Sequence, residues 1–149
     1  IKCVLTSALP TIHAPQPKFC TVMSQITQTI LYTDVDGFAK FRDDTLHLSE
    51  GKPDAKLSPL QASGGFQFRL SPVGFKSSFH CTTTPQWLVV LSGAMEIFLQ
   101  DGTSRIFKAG DSFYSNDTLP LGAVFDPKHH GHASRQVGEA PLQTLFVRV

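Results

Sequence analysis

GFKSSFHCTTTPQWLVVLSG, residues 74–93, is the stretch on which the reading of this 149-residue chain turns. From Gln86 onward the side chains fall alternately on two sides of an extended backbone: Gln86, Leu88 and Val90 on one, Trp87, Val89 and Leu91 on the other. Beyond Gln86 both faces are apolar, and a strand of that kind is covered on both sides. One cover is the core of its own domain. A second copy of the chain is the simplest outer cover, so the pattern predicts a homodimer. The alternative is that the N-terminal segment folds across the outer face.

Outward from this strand, short apolar or alternating runs recur at 45–49, 66–70, 77–82, 95–100, 104–107, 111–115 and 142–148, separated by Gly, Pro and Asp. Asp101-Gly102 supplies the positive φ of a tight hairpin, and Ser92-Gly93 and Ala109-Gly110 mark further turns. Helical periodicity is absent over any useful length; residues 34–44 are the one arguable case. The rhythm predicts an all-β sandwich or barrel without internal repeats.

Composition bounds the function. Hydrophobic residues make up 41% of the chain and include twelve Phe, enough for one core. The net charge of +1 is spread along the chain with no basic stripe, and no helix-turn-helix pattern accompanies the strands, so nucleic acid is not an expected partner. No apolar run reaches the length of a bilayer span. Cys3, Cys20 and Cys81 are far apart with no CxxC pair, which argues against a disulfide framework or structural zinc and for a reducing, cytoplasmic setting. Residues 1–27 read as an N-terminal extension: before Met23 there is no acidic residue, and Pro10, Pro15 and Pro17 interrupt the chain. A leader, organellar targeting or sequence upstream of the true start all fit this segment. Residues 28–149 are then the barrel domain.

The spacing of Gly74, His80, Thr82, Gln86 and Gly93 resembles the first motif of the cupin superfamily. That motif has Gly, His-x-His, Glu and Gly at these intervals; here Thr82 stands in place of the second His and Gln86 in place of the Glu. Gly110, Pro120-Leu-Gly122, His132 and Gln136 resemble the second cupin motif with widened gaps, residues 123–130 reading as an inserted loop. The resemblance covers about two-thirds of the chain. It implies a double-stranded β-helix, or jelly-roll barrel, with a divalent metal (iron, manganese, nickel or zinc) in the lumen. The positions that would hold it are His80, Gln86 and His132.

Neutral imidazole suits first-row metals, whereas an amide oxygen and the Thr82 hydroxyl are weak ligands and carry no charge. A degenerate metal site therefore stands beside a metal-free one in which His80 and His132 act as general acid and base. His129 or His130 from the loop are candidates to complete the ligand set. The expected lining adds Thr82, Gln86, either Phe68 or Arg69, and Phe98 with Glu96; Arg69 and Arg148 suit a carboxylate or phosphate. Cys81, of opposite parity to His80, is expected to point away from the lumen, and His13 and His47 to lie at the surface. The loop 117–130 is long enough to act as a lid. The functional expectation is a small molecule bound in the lumen. The chain is then an enzyme (metal-assisted oxygenase, isomerase or lyase, or a metal-free acid–base catalyst) or a non-catalytic binder or sensor. An interaction module with a vestigial pocket is the third reading.

Overall fold

Alternating side chains and β-branched residues suit a pleated, half-buried surface, and here they form strands. The structure, a computed structural model, describes residues 24–149. Its strands are β1 (Gln25–Thr33), β2 (Ala39–His47), β3 (Glu50–Lys52), β4 (Ala55–Leu57), β5 (Gly65–Ser71), β6 (Gln86–Ser92), β7 (Ala94–Phe98), β8 (Ser104–Lys108), β9 (Ser112–Asn116), β10 (Ala133–Val137) and β11 (Leu142–Arg148). No helix occurs among the described residues. The arguable helix at 34–44 is a tight turn closed by Asp34 N donating to Phe38 O (2.9 Å), followed by β2. The boundary drawn between residues 27 and 28 falls inside β1. Cys3, Cys20 and His13 lie outside the described residues; His47 is exposed, as expected.

The three-residue β3 and β4 are too short to show alternation, and β1 and β10 escape it for a physical reason. β1 carries Thr at three positions among its apolar residues, and β10 turns Ser134 and Gln136 inward where a core strand would have aliphatics. The sheets they complete have the orders β2-β1-β9-β6-β11-β5 and β10-β7-β8. The segment 75–80 extends the second sheet: it bridges β10 at Lys76–Arg135 and His80–His132. Taken as eight successive strands, β5, segment 75–80 and β6 to β11 lie in the orders 1-8-3-6 and 2-7-4-5. That is a jelly roll, with two facing sheets and strands crossing between them.

The β1–β2 hairpin joins the larger sheet edge-on, β1 running parallel to β9. It does not lie over the outer face of β6. Arg105 of β8 reaches across to it, donating to Asp43 Oδ1 at 2.6 Å with its guanidinium 4.9 Å from the Phe41 ring. Between the sheets sit Leu31, Leu88, Val90, Met95, Ile97, Leu99, Phe107, Phe113 and Leu142. The Phe107 and Phe113 rings meet at 4.3 Å, and Phe113 has no exposed surface. The β6–β7 turn needs its glycine: Gly93 has φ +74°, and a Cβ there would lie 2.6 Å from the Pro141 carbonyl oxygen.

The outer face of the larger sheet is only partly covered. Trp87 packs on Tyr114 at 5.2 Å and donates to Gln61 Oε1 at 3.3 Å. Beyond them, Phe66, Phe68 and Leu70 of the edge strand β5 are 66%, 70% and 67% exposed. Truncating Phe113 removes the ring at the centre of the packed end, so Phe113→Ala is expected to lower unfolding stability by about 3–5 kcal/mol. Urea denaturation checks this; a loss below about 1 kcal/mol would mean the core lies elsewhere.

Candidate functional site

The two histidines meet because segment 75–80 and β10 are neighbours. His80 and His132 exchange both backbone hydrogen bonds, each at 2.9 Å, so their side chains leave the sheet together. The ring centroids are 4.6 Å apart with the planes inclined at 50°. Gly131 makes this approach possible: at φ +75° it passes so close to the His80 carbonyl that any Cβ would collide with it.

Each ring has a partner at Nδ1. His80 Nδ1 lies 2.9 Å from the Ser78 carbonyl oxygen and His132 Nδ1 lies 2.6 Å from Asp117 Oδ2. A carbonyl and a carboxylate accept, so each Nδ1 carries the proton and each Nε2 keeps a free lone pair. Asp117 has no exposed surface and stands one residue beyond β9. Its other oxygen, Oδ1, accepts from Thr82 Oγ1 at 2.7 Å and is 3.2 Å from Ser115 Oγ, while Ser115 Oγ and Thr82 Oγ1 are 2.6 Å apart. Since Thr82 gives its proton to Asp117, Ser115 donates to Thr82 and the three groups form one closed network around a carboxylate sealed from water.

A cavity of about 450 Å³ opens between the sheets on the side of the imidazoles. Its polar lining includes Arg69, His80, Thr82, Gln86, His132 and Arg148, and its apolar floor is Leu88, Met95, Ile97 and Phe146. Thus six expected residues, His80, Thr82, Gln86, Arg69, His132 and Arg148, line one cavity. Both β5 candidates border the cavity, and register divides them: Arg69 pairs with the buried Thr144 of β11 with its guanidinium 4.4 Å from the Phe75 ring, whereas Phe68 pairs with Leu145 and its side chain is largely exposed. Gln86 sits at the end of β6 opposite Arg148 and Ser115, and its Oε1 is buried without a hydrogen-bond partner.

Three expectations are corrected. Phe98 does not line the cavity: it shares a face of β7 with Glu96, opposite Ile97, and stacks under the Arg135 guanidinium at 4.7 Å. Glu96 on the same outer face pairs with Arg135 at 2.6 Å. His129 and His130 are committed to the loop, His129 Nε2 to the Asp36 carbonyl at 2.8 Å and His130 Nδ1 to Asp126 N at 3.0 Å. Cys81 borders the cavity, because residues 81–85 are not a strand and parity does not carry across them. Asp117 and Ser115 went unread, although Phe113, Ser115 and Asp117 continue one inward face of β9.

Eight strands in jelly-roll order close on one lumen, with motif residues from two distant parts of the chain meeting inside it. The fold is that of a cupin. No protein-family model and no curated protein matches the chain. Among solved structures it is similar to the cupin domain of Cnp3 from Schizosaccharomyces pombe, at 12% identity over 86% of each chain with a TM-score of 0.39. It is also similar to the Cupin_2 domain of an XRE family transcriptional regulator from Enterobacter cloacae, at 13% identity over 85% of this chain and 98% of that one, with a TM-score of 0.35. The fold assignment rests on strand order, not on these scores.

A divalent cation in this cupin lumen would find His80 Nε2, His132 Nε2 and the neutral Gln86 amide. The nearest carboxylate, Asp117, has both oxygens engaged and faces away from the cavity. Among the described residues no three His, Cys, Asp or Glu side chains gather around a common point. Two imidazoles and an uncharged amide do not offset a dication's charge or fill its coordination, so the residues present do not fit a tightly held metal.

Burial holds His80 below the ordinary imidazole value of 6.5, and the neighbouring His132 acts in the same direction. Burial pushes the Cys81 thiol up, away from reactivity. The unfolded chain therefore binds a proton at His80 that the folded protein resists. Stability from this group is complete above pH 6.5 and is lost as pH falls below it toward the folded-state value. NMR titration of the ring nitrogens should place His80 below 6.5, and His80→Gln should flatten the fall in melting temperature between neutral and mildly acid pH. A His80 midpoint at or above the ordinary value would contradict the burial seen here.

Proposed function

We propose that the lumen binds a small organic molecule and that His132, oriented by Asp117, moves a proton on it. The observation that carries this reading is the 2.6 Å contact between His132 Nδ1 and a carboxylate with no exposed surface. Such a partner fixes the ring's tautomer, aims Nε2 into the cavity and stabilises the imidazolium that forms when Nε2 takes a proton. His80 at 4.6 Å favours the same step: held neutral by burial, it does not oppose the new charge as a second cation would. A proton taken from one atom of the ligand and returned to another is an isomerisation. If the proton is passed instead to a neighbouring hydroxyl as its C–O bond breaks, a double bond forms, water leaves and the reaction is a dehydration. Neither needs a redox partner or a metal.

The test is exchange with solvent. Small molecules bearing an acidic C–H (hydroxy acids, keto acids and sugars) are incubated with the protein in D2O and followed by proton NMR. At least one should lose a C–H signal with the native protein, and His132→Gln should slow that loss by about 10²-fold or more. Asp117→Asn should do the same through loss of orientation, provided its melting temperature shows it folded. Ligands that bind without exchanging or turning over would leave a non-catalytic binding barrel as the correct reading.

The chain is further proposed to form a homodimer through the outer face of the larger sheet. Support comes from the free edge of β5 and from Phe66, Phe68 and Leu70, which present a row of exposed apolar side chains beside Leu145 and Val147. Light scattering should give twice the 16.3 kDa chain mass, falling to the single mass in Phe68→Glu/Leu70→Glu. A native protein that is monomeric at micromolar concentration would refute it.

A further inference from the structure

We infer that the ligand of this lumen is a small carboxylate, held at the cavity mouth by Arg69 and Arg148. This deepens the reading above and rests on the lumen as the binding site, though not on proton transfer.

Two guanidinium groups and two imidazoles line the cavity, and among the described residues no Asp or Glu does. Asp117, the acid closest to the histidines, is saturated by its own donors and shut away from the lumen. Arg69 makes no ion pair and no side-chain hydrogen bond among the described residues. What it has is apolar support, the rings of Phe75 at 4.4 Å and Phe146 at 6.0 Å. Arg148 is held by Gln67 Oε1 at 2.7 Å, a neutral acceptor that orients the fork without neutralising it. The contrast within the same protein is informative: Arg42, Arg105 and Arg135 each reach a carboxylate. Among the described residues, the two arginines on the cavity have none.

Position adds direction. β5 and β11 are adjacent antiparallel strands, and Arg69 and Arg148 both border the cavity, Arg69 beside Thr144 and Arg148 opposite Gln86. The guanidinium fork matches a planar carboxylate through paired hydrogen bonds. The floor between the arginines and His132 is apolar: Leu88, Met95, Ile97 and Phe146. A ligand that fits this gradient has a carboxylate at one end and a short hydrocarbon or aromatic body. Its reacting C–H or O–H then lies toward the His132 Nε2. At about 450 Å³ the cavity suits a molecule of roughly ten heavy atoms with some water.

The test uses matched pairs: acetate, malonate, benzoate and mandelate, each against its amide, at constant ionic strength, with binding read by calorimetry. At least one carboxylate should bind ten-fold or more tighter than its amide. Arg69→Met and Arg148→Met should each erase that preference, while Arg69→Lys, which keeps the charge but not the fork, should retain part of it. The native protein itself separates the two proposals: a carboxylate that binds in preference to its amide, yet exchanges no C–H in D2O, would sink proton transfer and leave the anion site standing. Equal binding of acid and amide across all four pairs, unchanged binding in both arginine variants, or tighter binding of inorganic phosphate than of every carboxylate would overturn the assignment.

Discussion

Asp117 is an acid placed where water does not reach, and an ionised carboxylate there is tolerated only if protein donors replace its hydration. Two donors converge on it, Thr82 ahead of β6 and His132 at the head of β10, and Ser115 in β9 supports the first by donating to the Thr82 hydroxyl. The larger sheet supplies Ser115 and the smaller sheet supplies His132, so the carboxylate ties the two halves of the jelly roll together at the end opposite the Phe113 packing. Moving any one of these segments would strand a buried charge. The loop 117–131 is anchored at its start by this network and at its end by the His80–His132 bridge, which accounts for an ordered path over its long span.

The interior is divided by that arrangement. At one end aromatic and aliphatic side chains fill the space between the sheets completely. At the other, polar residues on β10 and β6 replace them, and a cavity remains because imidazole, amide and guanidinium groups need partners that aliphatic neighbours do not supply. Gln136 shows how the boundary is sealed: its amide nitrogen lies within 2.9 Å of three carbonyl oxygens, those of Val137, Gly138 and Ala140, which share its two N–H groups, and its oxygen accepts from Gly74 N. The Gln86 oxygen, in contrast, is buried with no donor among the described residues. A group left in that state costs about 1–3 kcal/mol, a burden expected where binding rather than stability decides the residue.

Much of this was legible in the order of residues. Alternation in 86–92, the Asp101-Gly102 turn and the regular spacing of apolar runs specify strands and hairpins, because side-chain period and positive φ are local properties. The glycine and histidine intervals from Gly74 to Gly93 placed His80 and Gln86 inside the barrel, and His132 followed from its own motif. Local rules failed where the chain stops being a strand or where the inner face is polar. Residues 81–85 break parity, so Cys81 faces the cavity after all; β10 buries Ser134 and Gln136 and so carries no apolar signal.

What the sequence determined by itself, then, is the set of strands, the turns between them and the presence of two imidazoles and an amide in the lumen. Tertiary structure alone decided which groups those imidazoles face. That Asp117 meets His132, that Arg69 packs on Phe75 while Phe68 stays largely exposed, and that Phe98 belongs to the outer surface all depend on pairing register between strands far apart in the chain. A shift of one residue in any pairing would reverse each of those assignments without changing a single local preference.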